Sequence, residues 1–140
     1  MKRRSRSRAL STIVVAAFLL ALIPAAALRA APGDACQVTY AFQSVWQDGF
    51  VTNLTIRNTG STAINGWTLA WSFPGNQRIT NLWNANWSQN GQAVTTSSNA
   101  DWNRVIPAGG QYQFGFQATY SGTNAEPTAF RLNNTNCAVI

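Results

Sequence analysis

Histidine is absent from this 140-residue chain, and Lys2 is its only lysine. Without imidazole there is no ligand set for copper-dependent oxidative cleavage, no histidine-built zinc site and no histidine triad. Carboxylates are scarce too: Asp34, Asp48, Asp101 and Glu126 are the whole supply. Calcium needs clustered oxygens, which four scattered carboxylates do not offer. No cofactor or metal is expected. A basic face is also missing. Six of the ten cationic residues lie in positions 1–30, and Arg57, Arg78, Arg104 and Arg131 balance the four carboxylates. Nucleic acid and anionic membrane both call for clustered positive charge. The expected partner is therefore uncharged.

Residues 1–31 read as a secretory signal peptide. Lys2, Arg3, Arg4, Arg6 and Arg8 precede an apolar run from Ile13 to Ile23, and the small residues Ala25, Ala26, Ala27, Ala30 and Ala31 follow. That order of charged, apolar and small residues marks a cleaved leader, with the cut near 27–31. The run is short for a membrane span and Pro24 ends it, so no membrane association is expected after cleavage. The product is a secreted, extracellular, monomeric protein of about 105 residues, enough for one domain around one core. In an exported chain its two cysteines, Cys36 and Cys137, are expected to form a disulfide joining the chain ends.

After Cys36 no segment keeps a helical period. Alternation at period two recurs instead. Trp67, Leu69, Trp71 and Phe73 fall on one side of WTLAWSF, and Tyr112, Phe114 and Phe116 on one side of YQFGFQA. Val38, Tyr40 and Phe42 alternate in the same way, as do Phe50, Leu54 and Ile56. Shorter strands are expected at 78–83, 93–96 and 129–132. Turn signals stand at Asn58-Thr59-Gly60, Asn65-Gly66, Pro74-Gly75, Asn90-Gly91 and 107–110. Many short strands at this spacing imply an all-β fold, an antiparallel β-sandwich of immunoglobulin-like, jelly-roll style.

The same alternation sorts the tryptophans. Trp67 and Trp71 belong to a core face. Trp46, at a strand end, Trp83, among asparagines, and Trp102, in a polar loop, do not. Each alone could fold over a sheet edge, but three further indoles are a large area for so small a domain to hide. Trp87 is expected to pack partly buried; only in an unbroken strand would it share the face of Trp83. The outward positions Asn53, Gln113 and Gln117 are neutral amides, with Gly115 between the glutamines. Amides donate and accept without charge. Flat rings beside neutral amides suit a polyhydroxyl ligand with apolar C–H faces and hydroxyl edges, which describes a sugar chain.

The ordered motifs then resemble a known family, the family 2 carbohydrate-binding modules. They comprise Cys36, the W-x-x-G-F of Trp46, Gly49 and Phe50, the N-T-G of 58–60, and GWTL from Gly66 to Leu69. F-P-G at 73–75, WNA at 83–85, WN at Trp102 and IPAGG at 106–110 follow. FGF at 114–116 and the terminal PTAF, LN and Cys137 complete the match. The resemblance implies a carbohydrate-binding module over residues 36–140, tied by the terminal disulfide and without catalysis of its own. It implies a flat strip of exposed tryptophans corresponding to Trp46, Trp83 and Trp102, flanked by Asn53, Asn81, Gln113 and Gln117. Ser44 stands where the family can carry an amide. Gly49, where the xylan-binding branch tends to carry arginine, and the presence of Trp102 point to the cellulose-binding branch. Chitin stays open beside cellulose, with xylan as a further alternative.

Two other function classes fit the residues less well. A glycoside hydrolase usually needs a carboxylate pair, and Asp48 and Asp101 are the only candidates. Both fit ordinary turn positions, and a flat surface would not raise the pKa of a general acid. With three residues after Cys137, no catalytic domain is expected to follow. A secreted adhesion domain would be distinguished by a protein partner independent of polysaccharide. The sequons at Asn53, Asn86 and Asn133 matter only in a glycosylating host, where a glycan on Asn53 would obstruct the proposed face.

Overall fold

Trp67, Leu69, Trp71 and Phe73 are all buried, while Thr68 and Ser72 between them face solvent. Fully burying one such side chain is worth roughly 1.5–3 kcal/mol, so a one-residue slip that turned this row outward would be prohibitive. The computed structural model describes residues 33–140. The leader expected over residues 1–31 lies outside the described residues.

Eleven strands make up almost all of the regular structure: β1 (Gly33–Trp46), β2 (Gly49–Asn58), β3 (Ile64–Asn65), β4 (Thr68–Ser72), β5 (Arg78–Trp83), β6 (Asn86–Asn90), β7 (Ala93–Ser97), β8 (Val105–Ile106), β9 (Gln111–Thr119), β10 (Phe130–Leu132) and β11 (Thr135–Val139). One 3-10 turn, Asp101–Asn103, precedes β8. Nine strands form a continuous ladder in the order β5-β9-β2-β1-β11-β10-β4-β7-β6, and β3 and β8 pair separately. The ladder folds into a sandwich whose two leaves press aromatic rings together. Trp71 on β4 stacks on Phe116 of β9 at 6.0 Å, and Trp67 stacks on Phe114 at 5.7 Å. Phe50, Leu54 and Ile56 of β2 and Val38 and Tyr40 of β1 complete the core, with Phe42 partly buried against it.

All ladder pairs are antiparallel except one, the parallel contact of β1 with β11. A tight hairpin leads into β11. Asn133 and Asn134 both take positive φ, 47° and 66°, and turn the chain tightly from Leu132 to Thr135. Asparagine tolerates that conformation better than most residues, yet this turn was not among those expected. The Cys36–Cys137 disulfide lies at the same junction, with the Cα atoms 4.8 Å apart.

Strands β5 and β6 lie at the two ends of the ladder and close the sandwich through a side chain. Gln89 Oε1 accepts the Ile79 N–H at 2.9 Å, and Gln89 Nε2 donates to the Gln77 carbonyl at 2.8 Å. An amide presents the donor and acceptor that an unpaired strand edge requires. Strand β6 had no counterpart among the expected strands, because NWSQN lacks the apolar alternation that marks one.

Candidate functional site

Cross-strand register decides which side chains share a surface, because directly opposed residues point to the same face. On the outer side of β1, β2, β9 and β5, Trp46 is opposite Gly49. Val51 is opposite Gln117, which is opposite Asn81. Asn53 is opposite Gly115, which is opposite Trp83. Thr55 is opposite Gln113. Alternate residues along a strand also share a face. Trp46, Gly49, Asn53, Asn81, Trp83, Gln113 and Gln117 therefore lie on one surface. By the same register Arg57 and Arg78 stand at its two ends, and every side chain between them is neutral. Ser44 is exposed on this surface, one alternate position from Trp46 and opposite Val51.

Two glycines govern how the indoles lie. A Cβ on Gly49 would fall 2.7 Å from Cε2, Cζ2 and Nε1 of Trp46, so this ring covers the glycine. A Cβ on Gly115 would fall 2.6 Å from Trp83 Cζ2 and 2.7 Å from Asn53 Oδ1. The Trp83 indole thus reaches from β5 across β9, with the Asn53 amide beside it on β2. Trp46 and Trp83 keep 40% and 38% of their surface exposed.

Trp102 belongs to the 3-10 turn and is 72% exposed. Its ring centroid lies 6.1 Å from that of Tyr112. The Tyr112 hydroxyl donates to the Asn84 carbonyl at 2.5 Å, immediately after Trp83. Asn103, only 2% exposed, donates through Nδ2 to the Tyr112 hydroxyl at 2.9 Å and to Asn99 Oδ1 at 2.6 Å. Its Oδ1 accepts the Ala100 N–H at 3.1 Å, and its carbonyl accepts the Trp67 indole N–H at 2.8 Å. Asn103 therefore ties the Trp102 turn to the core and to the turn that carries Trp83. Gly49 and Gly115 were expected on this face from sequence, Gly49 as a specificity position, but Tyr112 and Asn103 were not singled out for the site. That Gly115 seats a ring had one signal, a glycine in the middle of FGF, in a strand otherwise built of large residues.

Trp87 keeps 39% of its surface exposed, in line with the partial burial expected for it. Asn84, at φ 65°, breaks the chain between Trp83 and Trp87. Trp87 then lies on β6 opposite the buried Thr96, away from the rows that carry Trp46 and Trp83. Asp48 and Asp101 are both exposed, one in the β1–β2 hairpin and one opening the 3-10 turn. A groove beside the disulfide, lined by Cys36, Asn58, Thr62, Ile64 and Leu132 among others, carries no ionisable side chain. Among the described residues no three His, Cys, Asp or Glu side chains come together in a metal-binding group.

Comparison with known proteins gives a consistent assignment. The family profile described as "Cellulose binding domain" matches residues 36–137. Exoglucanase A of Cellulomonas fimi is 43% identical over 111 residues, which cover 79% of this chain but 12% of that enzyme. The chain thus spans about an eighth of that relative's length. Among solved structures, the chitin-binding domain of Chi18aC from Streptomyces coelicolor superposes with a TM-score of 0.61 at 31% identity, covering 75% of this chain and 96% of that one. The cellulose-binding family 2 carbohydrate binding domain from ScLPMO10C gives 0.55 at 28% identity, covering 75% and 96%. With the profile spanning nearly all the described residues, the chain belongs to the family 2 carbohydrate-binding modules.

Proposed function

We propose that this domain adsorbs without catalysis to crystalline cellulose, with Trp46, Trp83 and Trp102 as the contact strip. One observation carries the proposal: two exposed indoles lie over glycines on a sheet face that is neutral between Arg57 and Arg78. Rings held this way offer apolar faces to the C–H faces of pyranose units and release poorly bound water from both surfaces. Stacking of bases on protein aromatics is worth ~1–3 kcal/mol per ring, and a comparable gain per indole is the expected scale here. Asn53, Asn81, Gln113 and Gln117 set register along the chain through hydrogen bonds of smaller net worth, since water competes for them. Gly49 lets Trp46 lie down, which favours a flat ligand over a twisted one such as xylan. A place in an exported protein, after cleavage near 27–31, is supported by the leader-like order of residues 1–31 and by relatives that are exo- and endoglucanases.

Chitin is the second reading. It is favoured by the similarity to a solved chitin-binding domain and by its pyranose faces, which resemble those of cellulose. Depletion of the purified domain from solution by microcrystalline cellulose, chitin and insoluble xylan separates these readings. Strong depletion by cellulose and weak depletion by xylan is the expected pattern. Depletion by chitin alone would transfer the assignment to chitin. Depletion by none of the three would leave the adhesion class standing.

A further inference from the structure

We propose that Gly115 is a positioning residue for Trp83 and Asn53, and that its missing side chain is a condition of binding. The inference rests on the platform proposed above. Gly115 lies mid-strand in β9, where glycine has no turn to make and ordinarily weakens pairing. It is buried because the Trp83 indole covers it from outside. Register places Trp83, Gly115 and Asn53 in a single row across β5, β9 and β2.

A methyl group at position 115 would stand 2.6 Å from Trp83 Cζ2, 2.8 Å from Cε2 and 2.7 Å from Asn53 Oδ1. Carbon atoms in contact prefer about 3.5–4.0 Å, so both groups must move. The core lies on the opposite face of β9, occupied by Phe114 and Phe116, and takes no part in the collision. Trp83 has open solvent above it and can only tilt outward. The fold tolerates that tilt, but a flat ligand does not: a raised ring holds the sugar chain off Trp46 and Trp102, and Asn53 is pushed aside in the same step. One methyl group thus disables two proposed ligand contacts while leaving the core intact.

The test is a double-mutant cycle read by adsorption to microcrystalline cellulose, with thermal melting alongside. Gly115→Ala is expected to weaken adsorption about tenfold, on the scale of losing one stacking ring, while melting near the parent. In the Trp83→Ala background the same change should cost far less than tenfold, since the ring it displaces is gone and only the displaced Asn53 amide contact is left to lose. If Gly115→Ala adsorbs like the parent while Trp83→Ala loses tenfold, the positioning role is wrong and the platform stands. The role is also wrong if the two losses multiply in the double variant. If Trp83→Ala itself adsorbs like the parent, the platform fails and this role with it. Should Gly115→Ala not fold, recovery of folding in Trp83→Ala/Gly115→Ala supports the collision; persistent unfolding overturns it.

Discussion

The hydroxyl of Tyr120 donates a hydrogen bond to the backbone carbonyl of Trp46 at 2.8 Å, while the Tyr120 N–H bonds the Asp48 carbonyl at 3.1 Å. The end of β9 therefore grips both sides of the hairpin that presents the first indole. The Tyr120 ring packs edge-on against Phe50 at 6.0 Å, so its position is fixed from the core. Tyr120→Phe keeps the ring and removes only the hydroxyl bond. The expected cost is about 1 kcal/mol of stability by chemical denaturation. Adsorption to cellulose should fall by less than in Trp46→Ala, because the ring stays but its hairpin loosens.

Asn103 serves the third indole in a comparable way, from inside. Asn103→Ala strands the Ala100 N–H and removes a donor from the Tyr112 hydroxyl in a buried setting. A loss of about 2 kcal/mol is expected. Adsorption should drop as far as in Trp102→Ala, since the turn would no longer be fixed. Full adsorption at a temperature where the variant is folded would contradict this role.

How far the sequence leads differs from residue to residue. Alternation in WTLAWSF and YQFGFQA was sufficient to place Trp67, Trp71, Phe114 and Phe116 in the core, because burial on one face enforces period two. The cysteines near the two chain ends gave the bridge. Strand β6 and the Asn133-Asn134 turn were illegible: β6 is an edge strand held in part by the Gln89 amide, and asparagine pairs carry a weaker turn signal than Asn-Gly. The site divides similarly. Trp46, Trp83 and Trp102 stood out by their polar surroundings. The seats at Gly49 and Gly115 depend on where a ring from another position lies, and only coordinates place a ring.

Tyr40 links stability to alkaline pH. Burial pushes its phenol well above the ordinary value of 10.0; the neighbouring Thr52 hydroxyl offsets part of this, and Glu126 adds to it. Thr52 is close enough to ease the shift, yet neither hydroxyl reaches hydrogen-bond geometry with any partner among the described residues. In the folded state the phenol keeps its proton at pH values where the unfolded chain has lost it. Its contribution to stability is therefore complete below about pH 10 and declines above. Tyr40→Phe should leave stability at pH 7 unchanged or higher, since it deletes an unpartnered buried hydroxyl. It should also flatten the alkaline decline in melting temperature. A large loss at pH 7 would show a hydrogen bond that this geometry lacks.

The Cys36–Cys137 bridge spans 101 residues. Its removal by Cys36→Ala/Cys137→Ala should cost about 2–5 kcal/mol, lowering the melting temperature by at least about 8 °C. The bridge joins β1 to β11 at the Asn58 end of β2, far along the strands from Trp46. Adsorption measured well below the new melting point should match the parent.

The central claim is that exposed indoles, and not a cavity or a carboxylate pair, bind the polysaccharide. Its most direct measurement is the adsorption isotherm of Trp102→Ala on microcrystalline cellulose, with the parent alongside. Trp102 is the most exposed of the three, so its truncation disturbs packing least. A variant that melts with the parent and binds about tenfold more weakly is the predicted result. An isotherm superimposable on the parent's would contradict it.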